Sequence, residues 1–248
     1  MLRLVSAEEP AAPAAEHDFF ATYQQASQAD TSAEKAAKLY EELASANPES
    51  PESAISHVLR GIILWRDLDN MAEAEKDFAA AAGNAGTDTL STAAADLGKR
   101  WLSRVRMTRI REACHAYYLD EVEYPRSLNN LVEKELLDKA DLVDASGAPF
   151  AYEALDSEVP KAPRQKYSLK SKNVPGDSKD IPGVLAHEKD FRKQVTLKTP
   201  NPKMVMVSVK NETLSIEEGQ TRGGLKAVRL EASRAILCSP DYVVVLIR

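Results

Sequence analysis

Glu112 and His115 stand three residues apart in Arg111-Glu-Ala-Cys-His115, so a helix would carry a carboxylate and an imidazole on one face. A metal centre needs further ligands from a facing helix, and the pair alone reads as surface charge. His187-Glu188 begins an H-E-x-x-H pattern, but Phe191 stands at the second histidine position. His17 and His57 have no partner close by in the chain. Asp144, in Asp144-Ala-Ser-Gly147, is the carboxylate that a hydrolytic, peptidase-type reading would use. No G-x-S-x-G turn and no recognisable Ser/His/Asp order accompanies it. Gly223-Gly224 reads as a hairpin turn rather than a phosphate cradle. The two cysteines, Cys114 and Cys238, are too few for a disulfide-built scaffold and read as small buried hydrophobes.

Lys99, Arg100, Arg104, Arg106, Arg109 and Arg111 crowd one helical stretch. They spread around the helix, which points to solvated charge interleaved with buried positions, with a site for an acidic partner as the alternative. Arg100, Trp101, Arg104 and Tyr124 are the candidate partner-binding residues. The net charge of −6 and a pI near 5.4 argue against a broad nucleic-acid surface. No apolar run reaches the roughly 20 residues of a membrane span.

The elements that must position these groups divide into an α-rich first half and a β-rich second half. Residues 1–29 read as a flexible leader, Ala/Pro/Glu-rich at its start. Val5-Ser6-Ala7 is similar to the small-residue end of a signal peptide, without the apolar core that should precede it. Export from a truncated start is expected, with a cytoplasmic start at Met1 as the alternative. Helices are predicted from Asp30-Thr-Ser32 to Asn47, from Pro51 to Trp65, from Met71 to Ala82, and from about Thr89 to Leu119. The third is expected to turn Ala72, Ala74, Phe78 and Ala81 inward. The fourth has an inner stripe of Leu90, Ala94, Leu97, Trp101, Val105, Ile110, Ala113 and Tyr117. Strands are predicted at Tyr167–Ser171, Val184–Glu188, Val195–Leu197, Met204–Val209, Glu212–Ile216, Leu225–Leu230, Arg234–Leu237 and Tyr242–Ile247.

Ala33-Glu-Lys-Ala-Ala-Lys-Leu-Tyr40 and Ala72-Glu-Ala-Glu-Lys-Asp-Phe78 echo one another, with Tyr40 matching Phe78. Gly61, Ala72 and Ala79 sit where paired helices would approach closely. Residues 30–98 therefore look like a tetratricopeptide-type array, slightly longer in period than the usual 34 or so residues, whose groove would hold a partner peptide. An ordinary pair of helical hairpins is the alternative.

Tyr117, Asp120, Tyr124-Pro125, Leu128, Leu131, Asp144, Gly147, Pro149, Phe150 and Tyr152 fall in a telling order. The stretch resembles the soluble half of type II secretion pseudopilins and related type IV pilins. In those proteins a long helix ends near a tyrosine, and an acidic-Gly-x-Tyr-Pro turn follows. A second helix, an Asp-Pro-Trp-Gly-x-Pro-Tyr turn and a small antiparallel sheet complete the head. Tyr167-Ser-Leu-Lys-Ser171 matches the next strand, and Val184-Leu-Ala-His-Glu-Lys189 resembles a later one. Glu123 replaces the glycine region before Tyr-Pro, and Ala145-Ser146 replaces Pro-Trp. A polar, arginine-rich helix stands where the family has its membrane-spanning half. The resemblance implies a pilin-like α+β domain over 99–200 that does not polymerise as a pilin does. Asp177, Ser178 and Asp180 lie where some pseudopilins bind calcium, so calcium at Asp177 and Asp180 is the one cofactor it implies. Residues 201–248 form a small β domain. It is similar to those of periplasmic components of the same machines, with any small β-sandwich as the alternative.

Together these readings predict an α+β protein: helical-repeat hairpins, one long helix packed on an antiparallel sheet formed from residues 150–197, and a C-terminal β unit. The function expected is a non-catalytic, protein-binding component of a secretion or pilus-like envelope system. A generic cytoplasmic helical scaffold and a hydrolase are the alternatives.

Overall fold

The computed structural model describes residues 18–155, 163–174, 191, 194–199, 202–209 and 212–248. Five helices come first: α1 (Phe19–Ala26), α2 (Ala33–Ala46), α3 (Pro51–Arg66), α4 (Met71–Ala82) and α5 (Thr89–Glu121). Each start is set by a side-chain cap. Ser32, Ser50, Asn70 and Asp88 accept hydrogen bonds from backbone N–H groups of the first turns they precede. Pro51 adds a fixed φ at the first position of α3. Short connections fold α2 through α5 into successive hairpins, each helix packing on the next.

Residues 1–29 were expected to be a leader, yet they contain α1. Its Phe19 and Phe20 are buried in the main core, and the Arg234 guanidinium lies 4.2 Å from the Phe20 ring while pairing with Asp18 at 2.8 Å. Two aromatics with a cap in front of them suffice to order this segment against the sheet.

A short helix α6 (Leu128–Glu133) and a 3-10 turn (Lys139–Leu142) follow, then strands β1 (Ala151–Leu155) and β2 (Lys166–Lys170), paired antiparallel. The sheet expected over 150–197 does not extend beyond these two strands among the described residues. β3 (Val195–Thr199) pairs instead with β4 (Met204–Val209), and β4 with β5 (Glu212–Glu217). The boundary drawn at 200 thus falls inside one sheet. The predicted strand Val184–Glu188 lies outside the described residues.

The last sheet runs β6 (Thr221–Arg222), β7 (Leu225–Leu230), β8 (Arg234–Cys238), β9 (Val243–Ile247), all antiparallel neighbours. Gly223 and Gly224 turn the β6–β7 hairpin with φ of 57° and 77°, the left-handed pair that a two-residue turn requires. This sheet is a middle layer. Ile236, Cys238, Val243 and Val245 enter the core shared with the helices. The alternate residues Ala235, Leu237, Val244 and Leu246 pack against Val205, Val207 and Ile216 of the β3–β5 sheet. Burial on both faces explains the unbroken apolar run Val243-Val-Val-Leu-Ile247, where alternation would mark a one-sided strand. Helices and the C-terminal β unit therefore share one core rather than forming separate domains.

The helix stripe is as expected at Leu90, Ala94, Leu97, Trp101, Val105, Ile110 and Ala113, all buried, with Tyr117 half-buried. In α4, Ala74, Phe78 and Ala81 face inward but Ala72 is exposed, as is Ala79. Close approach is made at Gly61, against the Phe78 ring, and at Gly98. A Cβ on Gly98 would sit 2.6 Å from the Ala82 nitrogen and 2.8 Å from the Phe78 carbonyl oxygen. At the far end of α5, Val122 takes the left-handed conformation, φ 60°, two residues before Tyr124.

Two substitutions of opposite sign follow. Gly→Ala inside a helix normally stabilises by about 1 kcal/mol, but Gly98→Ala should destabilise by about 1–3 kcal/mol through overpacking. Val122→Gly should stabilise by about 1 kcal/mol, because a β-branched side chain is strained at positive φ. Urea denaturation of both variants measures each change.

Candidate functional site

The second half of α5 carries Arg109, Glu112, Ala113 and Ala116 on one face, at the helical spacing that stacks residues three and four apart. Opposite them run Leu136, Leu137, Asp138 and Asp141. The two walls enclose an open-sided cleft of about 590 Å³. The facing wall is shaped by local geometry. Glu135 has φ 58°, and the Leu136 N–H donates to the Leu131 carbonyl at 2.9 Å, turning the chain back after α6. Small alanines form the floor, and Leu136 stays 39% exposed at the edge.

Ion pairs hold Arg109 in the cleft wall and tie the end of α5 to the residue that follows α6. Arg109 donates to both carboxylate oxygens of Glu75 on α4 and reaches Asp141 at 3.4 Å. The Glu75 hydrogen bonds raise the Arg109 pKa further still, against the opposing effect of burial. Beyond the cleft lining, Lys134 bridges Asp120, at 3.2 Å, and Glu121 at the α5 terminus. Glu112 and Asp138 lie exposed in the lining, one from each wall.

The sequence-derived candidates have other surroundings. Trp101 is wholly buried, stacked on Phe78 at 5.6 Å, and its indole N–H donates to the Asp241 carbonyl. Arg104 is 5% exposed and pairs with Asp241 at 2.5 Å. Arg100 donates to the Pro240 carbonyl. Arg106 donates to the Val143 and Asp144 carbonyls. These arginines are therefore tied to neighbouring elements of the fold rather than simply solvated, and Trp101 and Arg104 offer almost no surface. Tyr124 is half-buried in a tyrosine array, with ring centres 4.8 Å from Tyr118 of α5 and 4.8 Å from Tyr167. Asp177 and Asp180 lie outside the described residues. Among the described residues no cluster of three or more His, Cys, Asp or Glu is placed to hold a metal ion.

Asp144 is 1% exposed and organises its own turn. Its Oδ1 accepts from the Ser146 N–H and hydroxyl and from the Ala148 N–H, and its Oδ2 from the Ser171 hydroxyl. Burial pushes this carboxyl up, but the four donors outweigh it and hold the pKa below the ordinary 3.8. The Ser103 hydroxyl, accepting from the Ala145 N–H and the Asn173 amide, ties the turn to the middle of α5. His57 does have a partner, on the next helix: its Nδ1 lies 2.7 Å from Asp77, a buried carboxylate that also takes Arg60 at 2.8 Å. Nothing near His57 in the chain signals this pairing.

Comparison with known proteins finds no match to any family model, any curated protein or any solved structure.

The cysteines behave as buried apolar groups in two different cores, Cys114 with α6 and β2 and Cys238 with the helices. Burial pushes both thiols up to about 12. Neither should react with iodoacetamide at pH 8 until denaturant unfolds the chain, as intact-mass measurement would show. Asp144→Ala should cost about 1–3 kcal/mol by leaving buried donors unpaired. Because the folded pKa of Asp144 lies below 3.8, its contribution is complete above that value and is lost as pH falls through the folded pKa. Acid titration of stability should therefore be steeper below pH 3.8 in the wild type than in Asp144→Asn.

Proposed function

We propose that this chain is a non-catalytic, protein-binding component of a secretion or pilus-like envelope system, with a pilin-like head carried on a helical array. One observation carries the reading. The second half of α5, the Tyr124-Pro125 turn, α6 and the β1–β2 hairpin close one core, built from Met107, Ile110, Cys114, Leu128, Leu131, Phe150 and Leu169. Tyr152 donates to the Pro125 carbonyl at 2.7 Å, fastening hairpin to turn. Long helix, Tyr-Pro turn, short helix and a two-stranded hairpin pack together here, which supports the reading because their chain order is the one on which the resemblance to pilin heads rests.

Partner binding falls to the head rather than to a groove in the repeat array. β7 and β9 cover α1 and α5, and Arg229 of β7 pairs with Glu52 of α3. No helix among the described residues is long and apolar enough to cross a membrane. A generic helical-repeat scaffold is the second reading, favoured by the tight α3–α4–α5 packing at Gly61 and Gly98.

In-cell cross-linking from a photoreactive residue at Leu119, followed by mass spectrometry, tests the first reading. Adducts with secretin or pilin-type subunits are the expected result. Adducts containing none of these would remove its support.

A further inference from the structure

The rims of the α5 cleft differ from its floor in a way that names a ligand chemistry. Among the described residues its one lining cation, Arg109, is already held by Glu75 and Asp141, which leaves Glu112 and Asp138 as a carboxylate on each wall. Between them lie Ala113 and Ala116, with Leu136 39% exposed on one side. Leu119, 70% exposed, continues the Ala116 row one turn further along the helix. Arg109 in the lining and Lys134 near the α5 terminus are each locked in ion pairs. The length from Ala113 to Leu119 is about 9 Å at the rise of an α-helix. That accommodates about three extended residues.

Resting on the protein-binding reading above, we propose that the cleft docks a short basic-apolar segment of a partner protein. An aliphatic side chain of the segment enters between Ala116 and Leu136, and a neighbouring lysine or arginine pairs with Glu112 and Asp138. Charge complementarity selects this occupant: an acidic segment would meet two carboxylates that have no ion pair among the described residues, and a wholly polar one would leave Leu136 and Leu119 in water. The open side of the cleft admits a continuous chain, which must enter and leave it.

Fluorescence anisotropy with labelled, Gly/Ser-flanked probes at physiological ionic strength tests this. The Leu-Lys-Leu-Lys peptide should bind saturably, with Leu-Glu-Leu-Glu and Ser-Lys-Ser-Lys peptides at least about tenfold weaker. The double variant Glu112→Lys/Asp138→Lys changes two exposed positions, and its thermal melt by circular dichroism verifies that it is folded. It should lose at least about tenfold in affinity for the Leu-Lys peptide. Absence of saturable binding, equal binding of the three peptides, or an unchanged preference in the double variant would overturn the proposal. The outcome is separate from the cross-linking result, because the peptides contain no secretion component. Adducts without such subunits alongside a retained charge preference would fault the cellular role alone.

Discussion

One helix serves two cores, and the rest of the structure is arranged around that demand. α5 has 33 residues, about 50 Å at 1.5 Å per residue. Its first half is enclosed on most sides: Leu90, Leu97, Trp101 and Val105 meet α3, α4 and the β7–β9 sheet. Its second half buries only the stripe of Met107, Ile110, Ala113 and Cys114, over α6 and the hairpin. A helix buried all round requires apolar and small residues at nearly every position, whereas a one-faced helix tolerates charge elsewhere. The change occurs near Arg106, where the guanidinium and the Ser103 hydroxyl hold the Asp144 turn.

This arrangement explains why so many charges sit in an interior helix. Arg104 must leave the core toward Asp241, Arg106 toward the Val143 and Asp144 carbonyls, and Arg109 toward Glu75 and Asp141. Buried or half-buried guanidinium groups are tolerable only with such partners. Each of the three joins α5 to different elements, so Arg104, Arg106 and Arg109 orient the sheet, the Asp144 turn and α4 around a single axis. The cleft at the far end is a consequence. Where α5 becomes one-faced, Ala113 and Ala116 are left with space beside them, and the 136–141 segment forms the opposite wall.

Much of this was legible in the chain. Capping residues and apolar periodicity located α2 to α5 and most C-terminal strands within a residue or two, because those signals are local. Gly223-Gly224 announced its hairpin for the same reason. The helix in 19–26 was hidden, since eight residues carry too little periodicity and Phe19 and Phe20 are buried only once α2, β9 and Arg234 surround them. The partner of β3 was equally hidden, because the five-residue strand 195–199 fits either sheet by composition. In the candidate site, Glu112 was visible as a charged helical position. Its counterpart Asp138 carried no signal, since only the turn at Glu135 brings that segment over α5.

Residue types and short spacings by themselves determined where helices and strands form, which faces are apolar, and that Pro125, Gly147 and the two hairpin glycines must turn the chain. These are preferences of a few neighbouring residues, and they survive in any tertiary context. Only the folded structure decided which apolar faces meet. The run Val243–Ile247 is equally apolar on both sides, and its role as a middle layer depends on helices and strands distant in sequence. The same holds for charge. Whether Arg104 is a surface cation or a buried tie is settled by the β8–β9 turn that carries Asp241, 137 positions further on. Long-range contacts have no local signature, because the energy that selects them comes from surfaces that exist only once the elements have formed.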